Sequence, residues 1–550
     1  MAKKPQKSIR KLIIRLLRNG IEPNDAVRPG VALVPFAQFK DSRIALGSSG
    51  GETPTWASFL NLGADEKAKL KNSGAYGLLF LKSAERWFAI AFGGGFQKIS
   101  STSFEHDFGL RVVINAVDAK KLRSADIRTP DENTTTTRTQ ASRHSPQEVF
   151  EINHERDLVR GLEGTPRDAS FASRVSGSDA LVIWKRADLS DIPTVCSDAL
   201  SVYGKDDYKD NFKWIDDIRH ERDTAVIGRL DGLLTAAVNA AIADDRSESL
   251  HLAWPVIYNA ESSNWVQYGG FRSTQIFDDL DIRNYLQELS AKGITSLTAD
   301  QLSKHHVAQT DEDGRRSGDD FPLRDCFVFE TEHEGRKYVL SGGRWYEIDR
   351  NLAAQVLAFF NKVDAFVLPP PAGAENESEY NERLEREKSS EWVCLDTKLV
   401  TPTDARTPIE VCDFLISPRV FIHVKDQAAS SKLSHLFSQG HVSALTFKTD
   451  PDFRDRVRAK ALEISGGHLG GDMPGSGDFV DPSKFTVVYG VLREKPMKGK
   501  PVLPFFSLVT FRYHAKELDA LGFKYAFAWI LKEKASEGKK KKRKSRKKEA

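Results

Sequence analysis

The sequence predicts a protein of the mixed α/β class (α+β, multidomain) from three observations. Its 550 residues allow three or four domains at roughly 150 residues per domain. Hydrophobic residues make up 40% of the chain, which is enough for several buried cores and excludes a disordered or fibrous protein. Segments with the alternation of strands and segments with helical spacing follow one another, and no internal repeat is visible.

The first predicted domain is an N-terminal α/β domain over residues 1–165. Two apolar runs at 78–81 and 87–92 are joined by Ser-Ala-Glu-Arg, a pattern that predicts a β-hairpin. The Gly-Gly-Gly at 93–95 lacks the Gly-Lys-Ser/Thr of a phosphate-binding loop and therefore predicts a turn. Residues 123–148 are polar and rich in Thr and Arg, which predicts a long surface loop. Its arginines are candidate nucleic-acid contacts: Arg123, Arg128, Arg138 and Arg143.

A middle α+β domain is predicted over residues 166–365. The stretch 227–245 has the composition of a helix, and 326–349 alternates around Glu-Gly-Arg-Lys and Ser-Gly-Gly, which predicts an antiparallel meander. Residues 366–380 are rich in Pro, Gly and acidic side chains and predict a linker.

The two chain ends carry most of the positive charge. Residues 1–18 carry +7 and residues 539–550 carry +8, so that a formal net charge of +3 leaves −12 for the rest of the chain. This excludes a protein that is polycationic throughout. The segment 536–550 is expected to be a disordered basic tail, which either adds sequence-independent phosphate contacts or serves solubility.

Cysteine content and hydropathy predict a cytoplasmic protein without a membrane partner. The four cysteines are too sparse for a disulfide scaffold and too far apart for a zinc framework. They are Cys196, Cys326, Cys394 and Cys412. Uninterrupted apolar runs are much shorter than the roughly 20 residues of a membrane span, and no secretory signal is visible.

The segment 381–535 carries the chemistry. Its patterns predict a helix, three strands, a helix and, after an insertion, another strand. Asp413 follows Ile-Glu-Val-Cys, and the next strand reads Phe-Ile-His-Val-Lys, ending at Lys425. Strand alternation places His423 and Lys425 on one face. Over about 110 residues this order resembles the core of the PD-(D/E)XK nuclease superfamily, which implies a restriction-endonuclease-like three-layer core with a mixed sheet.

The resemblance implies a set of site residues and a cofactor. Asp413 would bind Mg²⁺ or Mn²⁺, and Lys425 would stabilise charge or position water. Glu382 matches the superfamily's additional helical acid, and Gln439 matches a glutamine on the helix after the lysine.

One position departs from the superfamily pattern, because His423 stands where an acid is expected. A neutral imidazole is a poor ligand for Mg²⁺. Glu410 or Asp396 supplies the missing acid, a softer ion such as Mn²⁺ is used, or the site is degenerate. If the site is not degenerate, His423 is expected to be a metal ligand or a hydrogen-bond donor. The His-x-Lys pattern of phospholipase D-type nucleases is a weaker match, because Ser430 stands where they carry Asp and no second copy is present.

The helix after Lys425 is expected to bury Leu433, Leu436 and Phe437 as one stripe. Ser431 is expected near its N-terminus, where a hydroxyl caps the helix and free N–H groups favour phosphate. Lys432 is a further candidate nucleic-acid contact.

Sequence blocks along the chain resemble a sporadically distributed bacterial protein family of unknown function. They include the stretches Arg-Val-Ser-Gly-Ser-Asp-Ala-Leu, Tyr-Val-Leu-Ser-Gly-Gly-Arg-Trp-Tyr-Glu-Ile-Asp and Ser-Ser-Lys-Leu-Ser-His-Leu-Phe-Ser-Gln-Gly. Such a distribution implies a role in defence against phage or foreign DNA, with protein partners from a defence operon. The sequence thus predicts a metal-dependent nuclease-like protein acting on nucleic acid, with DNA as the expected partner and RNA left open. The alternative is a non-catalytic DNA-binding or sensing protein with a degenerate nuclease fold.

Overall fold

The computed structural model divides the chain into two compact units. The first comprises Met1–Arg128 and Thr136–Ile215, and the second comprises Thr129–Thr135 and Asp216–Ala550. The finer domain boundaries expected from the sequence stay predictions. The residues that the structure describes are 7–52, 63–65, 72–100, 103–130, 134–244, 250–255, 265–271, 273, 275–311, 314–403, 405, 407–416, 419–426, 433–467, 469, 471–495 and 501–533.

The first unit is built on one ten-stranded sheet, whose strand order is β2-β3-β4-β5-β1-β10-β9-β8-β6-β7. Its strands are β1 (Ile9–Leu16), β2 (Val34–Pro35), β3 (Arg43–Glu52), β4 (Asn72–Ser83), β5 (Arg86–Gly93), β6 (Val117–Thr129), β7 (Thr135–Ser145), β8 (Leu158–Pro166), β9 (Arg174–Gly177) and β10 (Leu181–Arg186). Its helices are α1 (Phe108–Ala116), α2 (Ile192–Tyr203) and α3 (Lys209–Phe212), with short 3-10 turns at Gly94–Lys98, Gln147–Phe150, Leu189–Asp191 and, running into the second unit, Lys213–Asp217.

The predicted hairpin is confirmed as β4 and β5. The two strands pair antiparallel up to Ser83 and Arg86. Ala84 and Glu85 connect them with φ of 47° and 60°, the conformation of a tight turn that matches the twist of the flanking strands. The glycines at 93–95 end β5 and begin a 3-10 turn, in agreement with the predicted turn.

The polar segment 123–148 is not a long loop, because β6 and β7 occupy most of it. Thr has high strand propensity, and several residues of β6 are buried, so the polar composition was misleading. Arg128 is 1% exposed, and this burial removes it from phosphate contact. Arg138 is exposed but paired with Asp126 at 2.6 Å, while Arg123 is half-buried and Arg143 is exposed.

The second unit contains the remaining elements. Its strands are β11 (Ile218–His220), β12 (Leu250–Leu252), β13 (Trp265–Gly269), β14 (Ile276–Phe277), β15 (His306–Thr310), β16 (Arg316–Pro322), β17 (Phe327–His333), β18 (Arg336–Ser341), β19 (Arg344–Ile348), β20 (Asp364–Ala365), β21 (Trp392–Cys394), β22 (Phe414–Ile416), β23 (Val420–Asp426), β24 (Thr486–Glu494) and β25 (Lys524–Lys532). Its helices are α4 (Thr224–Asp244), α5 (Ile282–Ala291), α6 (Ala299–Lys304), α7 (Leu323–Cys326), α8 (Arg350–Phe360), α9 (Glu377–Glu387), α10 (Leu433–Thr449), α11 (Pro451–Ile464) and α12 (Phe505–Leu521), with a 3-10 turn at Pro482–Lys484.

Two antiparallel sheets form the first part of this unit, in the orders β11-β19-β18-β17-β12 and β14-β13-β15-β16. The meander predicted at 326–349 is confirmed as β17, β18 and β19. These sheets and α4 share one hydrophobic core, which includes Leu230, Leu234 and Trp345.

One helix among the described residues, Thr224–Ala243 within α4, is long and apolar enough to cross a membrane by length and composition. Its Asp231 accepts hydrogen bonds from Arg324 and from the indole N–H of Trp345 at 2.8 Å each. Leu230, Leu234 and Val238 are buried in the shared core. One face of this helix therefore packs into the core of the second unit.

The last part of the second unit is a six-stranded mixed sheet in the order β20-β25-β24-β23-β22-β21. β21, β22 and β23 are antiparallel neighbours, and β23, β24, β25 and β20 are parallel. Helix α9 packs on one face, where Tyr380 and Leu384 share a core with Ile422 and Val424. Helices α10 and α12 cover the other face, where rings of Phe437 and Phe511, among others, pack against the sheet.

Part of the segment 366–380, which the sequence predicts as a linker, packs against this sheet. Leu368 lies in the sheet's core, and the Tyr380 hydroxyl donates to the Pro369 carbonyl at 2.7 Å. Helix α9 begins at Glu377, because Asn376 and Glu379 form a reciprocal capping box at its N-terminus.

Candidate metal centre

Three acidic side chains meet where the short strands β21 and β22 join their loops. Asp396 follows β21, and Glu410 and Asp413 precede β22. One carboxylate oxygen of each residue lies within 4.8 Å of one from each of the others. Asp413 is buried, and Asp396 and Glu410 are half-buried. The structure therefore unites the three acids that the sequence proposed as metal ligands.

Asp413 is held by backbone and by helix α9. One of its carboxylate oxygens accepts the Val424 N–H of β23 at 2.7 Å. The other accepts from the side-chain amide of Asn381 at 3.1 Å, and the same amide donates to Asp396 at 2.9 Å. Asn381 therefore joins two of the three acids from α9.

Glu410 is held from the opposite face of the sheet. It accepts from the Thr397 N–H at 3.1 Å and from the Gln439 side chain of α10 at 2.9 Å. Gly440 allows α10 to come this close, because a Cβ at that position would lie 2.6 Å from the Tyr489 ring. Gln439, which the sequence proposed from the superfamily resemblance, thus reaches the acidic group.

Among the residues that the structure describes, no ion pair balances the charge of the group. Within the described part of the chain, no Lys or Arg lies within ion-pair distance of Asp396, Glu410 or Asp413. Burial raises the pKa of Asp413 well above its usual value, and the charges of Glu410 and Asp396 raise it further. A bound cation would relieve this repulsion.

The residues fit a divalent cation in distance and in chemistry. Two oxygens bound to one Mg²⁺ at about 2.1 Å cannot be more than about 4.2 Å apart, so oxygens within 4.8 Å need only small shifts. The Oδ1 atom of Asn381 is buried and has no hydrogen-bond partner among the described residues. A 180° rotation of this amide turns that oxygen toward the acids as an additional hard ligand.

Lys425 lies beside this group and is tethered to α9. Its ammonium donates to Glu377 at 2.6 Å, and the other Glu377 oxygen accepts the Asp426 N–H at 3.0 Å. Burial lowers the pKa of Lys425, but the hydrogen bond and charge of Glu377, with the charges of Asp413 and Glu410, outweigh burial and raise it. Lys425 is therefore a permanent cation at neutral pH.

His423 lies on β23 but does not join the acids. Its side chain is 1% exposed, its ring centroid is 6.2 Å from that of Tyr489, and its Nε2 has no hydrogen-bond partner in the described structure. Burial, together with the charge of Lys425, lowers its pKa to about 3. His423 is thus a neutral ring packed within the sheet layer, and it lies outside the described cluster of potential ligands.

The burial of His423 predicts a measurable pH dependence of the free energy of unfolding. The unfolded chain binds a proton at His423 near pH 6.5, and the folded chain does so only near pH 3, so the unfolded state holds more protons between these values. Stability from His423 is therefore lost as the pH falls below 6.5. We expect His423→Leu to reduce the slope of unfolding free energy against pH, between about pH 6 and 4, by close to one proton, or about 1.4 kcal/mol per pH unit.

Urea unfolding at several pH values measures this slope. His435→Leu is the matched control, because it removes a histidine that is exposed on α10 rather than buried. Equal slopes for wild type and His423→Leu would show that His423 is not held neutral by burial.

Other sequence candidates lie elsewhere. Glu382 is exposed on α9 and accepts a hydrogen bond from Ser378 at 3.2 Å, so the helix presents Asn381 and Glu377 to the site instead. Ser431 and Lys432 lie outside the described residues. The predicted stripe on α10 is confirmed, since Leu433, Leu436 and Phe437 are buried and His435 is exposed.

Sequence reasoning missed Glu377 and Asn381. The two residues are four apart and therefore share one face of α9. Helical spacing from the buried residues Tyr380 and Leu384 could have placed Glu377 and Asn381 on the packed side of α9. The sequence, however, gave no reason to prefer the amide of Asn381 over the neighbouring acid Glu382 as a site residue.

The fold and this centre define a mixed α/β protein with a carboxylate site suited to a hard divalent cation. The chain belongs to a family of unknown function, DUF6119, whose profile matches residues 12–531. No curated protein and no solved structure matches the chain.

Proposed function

We propose that the protein is a metal-dependent nuclease-like protein that acts on DNA. The observation that carries this proposal is the gathering of Asp396, Glu410 and Asp413 within 4.8 Å of one another, beside the protonated Lys425. Hard carboxylate oxygens favour Mg²⁺ or Mn²⁺ over softer ions.

The order of elements around the site supports the proposal. Helix α9 is followed by β21, β22 and β23, then by α10 and, after α11, by β24. The antiparallel pairing of β21 to β23 and the parallel pairing of β23 with β24 agree with the arrangement that the PD-(D/E)XK resemblance implies. The superfamily assignment is part of the proposal.

Each residue of the site would have a separate role in phosphodiester hydrolysis. A bound divalent cation would polarise the phosphate and lower the pKa of a water ligand. Asp396, Glu410 and Asp413 would hold that cation, while Asn381 and Gln439 orient the carboxylates. Lys425 cannot accept a proton at neutral pH, so its part is to stabilise negative charge that develops on the phosphate.

A second candidate is a non-catalytic DNA-binding or sensing protein. It is favoured by His423, which stands where the superfamily carries an acid and lies buried outside the acidic group. In that case the centre binds an ion for structure or sensing, and DNA is bound without cleavage. For either candidate we propose that the biological role is defence against foreign DNA, because the family that the sequence resembles is sporadically distributed among bacteria.

The two candidates are separated by assaying ion binding and cleavage on the same preparation. Plasmid DNA and, in parallel, RNA are incubated with the full chain and Mg²⁺, Mn²⁺ or EDTA. We expect DNA cleavage that requires the ion and is lost in Glu410→Gln. Ion binding without cleavage of either polymer would favour the second candidate, and absence of ion binding would overturn the metal centre itself.

A further inference from the structure

Two histidines face each other between the two long helices that cover one side of the C-terminal sheet. His441 lies on α10 and His514 on α12. Their Nδ1 atoms are 3.3 Å apart, and their ring centroids are 5.5 Å apart at an interplanar angle of 47°. Both rings are half-buried, so the pair is within reach of solutes.

Packing on both sides of the pair fixes this distance. About one turn before the histidines, the rings of Phe437 and Phe511 meet at 5.2 Å. Two turns after them, the Lys448 ammonium donates to the Leu521 carbonyl at 2.9 Å. Because the same two helices are joined at both places, the separation of the histidines is set by the fold.

Two imidazole nitrogens at this distance hold one electrophile between them, either a proton carried by one ring or a metal ion. Nitrogen ligands of a tetrahedral zinc ion, at about 2.0–2.1 Å from the metal, lie about 3.3–3.4 Å apart. The observed 3.3 Å equals that spacing. We propose that His441 and His514 form a second metal site, which binds Zn²⁺ and clamps α10 to α12.

The surroundings suit a zinc ion. Burial lowers the pKa of His441 despite an opposing effect from the charge of Glu517, so the ring is neutral and its lone pair is available at neutral pH. Glu517 follows His514 by three residues on α12, which places both on one face of the helix. Its carboxylate is not clustered with the two rings in the described structure, and a change of rotamer would bring it to the ion as a third ligand, with water completing the tetrahedron.

This site is independent of the acidic centre and of the proposed nuclease activity. Gln439, which contacts Glu410, and His441 are two residues apart, or about 200° around the helix. The two sites therefore use different sides of α10. They also differ in ligand chemistry, since imidazole favours Zn²⁺ whereas three carboxylates favour Mg²⁺ or Mn²⁺.

Zinc titration of the full chain, produced without a histidine tag and stripped with EDTA, tests the proposal. Excess Mg²⁺ is kept present, and the background carries Glu410→Gln so that the acidic centre does not compete. Calorimetry with Zn²⁺ and visible absorption with Co²⁺ report the site. We expect His441→Gln and His514→Gln each to weaken Zn²⁺ binding at least about tenfold, the lower end of the loss seen even for residues that only support a ligand.

His435→Gln is the matched control, because this histidine lies on the same helix but is exposed and should leave binding unchanged. Zn²⁺ should also raise the melting temperature of the parent and of this control, but not of the two pair variants. Absence of Zn²⁺ binding by the parent, or equal binding by the pair variants and the control, would overturn the proposal. Circular dichroism of the variants without metal verifies that each one folds.

Discussion

Replacing Asp413 by asparagine is expected to remove divalent-cation binding while leaving the ion-free protein at least as stable as the wild type. Asp413 supplies one of the three carboxylates within 4.8 Å and is the one that the fold buries. Loss of a residue that only supports a metal ligand costs about 10–100-fold in affinity, so loss of this ligand should cost at least about 100-fold. DNA cleavage should disappear with the ion.

The stability of this variant follows from the sign of the pKa shift. The pKa of Asp413 is raised in the folded protein by burial and by the charges of Glu410 and Asp396. Above the pKa of the unfolded chain, the ionised carboxylate therefore destabilises the ion-free fold, and stability is gained as the pH falls. Asparagine keeps the acceptor for the Val424 N–H and removes the charge. The Oδ1 of Asn381 has no hydrogen-bond partner among the described residues. A rotation of this amide lets its oxygen accept a hydrogen bond from the NH2 group of the asparagine introduced at position 413.

Thermal melting with and without Mg²⁺ or Mn²⁺ measures both effects. The wild type should be stabilised by the ion, and Asp413→Asn should not respond to it. Glu382→Gln is the matched control, because Glu382 is an acid on α9 that the superfamily resemblance selects but that the structure leaves exposed. An ion response retained by Asp413→Asn, or lost by Glu382→Gln, would contradict the assignment of the centre.

The sequence was sufficient for the direction of most side chains along β23 and α10. Alternation along β23 placed Ile422 and Val424 toward the core of α9 and His423 toward the other face, because side-chain direction in a strand has a period of two. The apolar stripe of α10 was similarly determined by helical spacing. The strand boundary next to Asp413 was not determined by the local pattern, and in the structure β22 begins just after this residue.

The sequence was insufficient where side chains meet across elements. Asn381 contacts Asp396 and Asp413, which are 15 and 32 residues away, and no local pattern records such a contact. Composition also misled at β6 and β7, where the ladder of a ten-stranded sheet accommodates a polar, Thr-rich segment that resembles a loop. The His423 substitution was visible in the sequence, but its burial depends on Tyr489 of β24.

Replacing Lys425 by methionine is expected to abolish cleavage without weakening ion binding. Methionine preserves the length of the buried stem and removes only the cation. Removing one group that stabilises developing charge in a transition state costs about 100–1,000-fold in rate. The charge of Lys425 acts on Asp413 and Glu410 and opposes a second cation there, so ion affinity should stay the same or rise.

This separation of effects distinguishes Lys425 from the metal ligands. Calorimetry with Mn²⁺ gives the affinity, and cleavage at saturating Mn²⁺ gives the rate. Lys484→Met is the control, because Lys484 is exposed and pairs with Asp481, so this variant should change neither quantity. Glu377→Gln tests the ion pair between Glu377 and Lys425, because glutamine retains a hydrogen-bond acceptor for Lys425 but carries no charge. This variant should lower the cleavage rate less than Lys425→Met does. Cleavage by Lys425→Met at the wild-type rate would show that the ammonium takes no part in the reaction, and a parallel loss of Mn²⁺ binding would show that its role is to support the fold of the site.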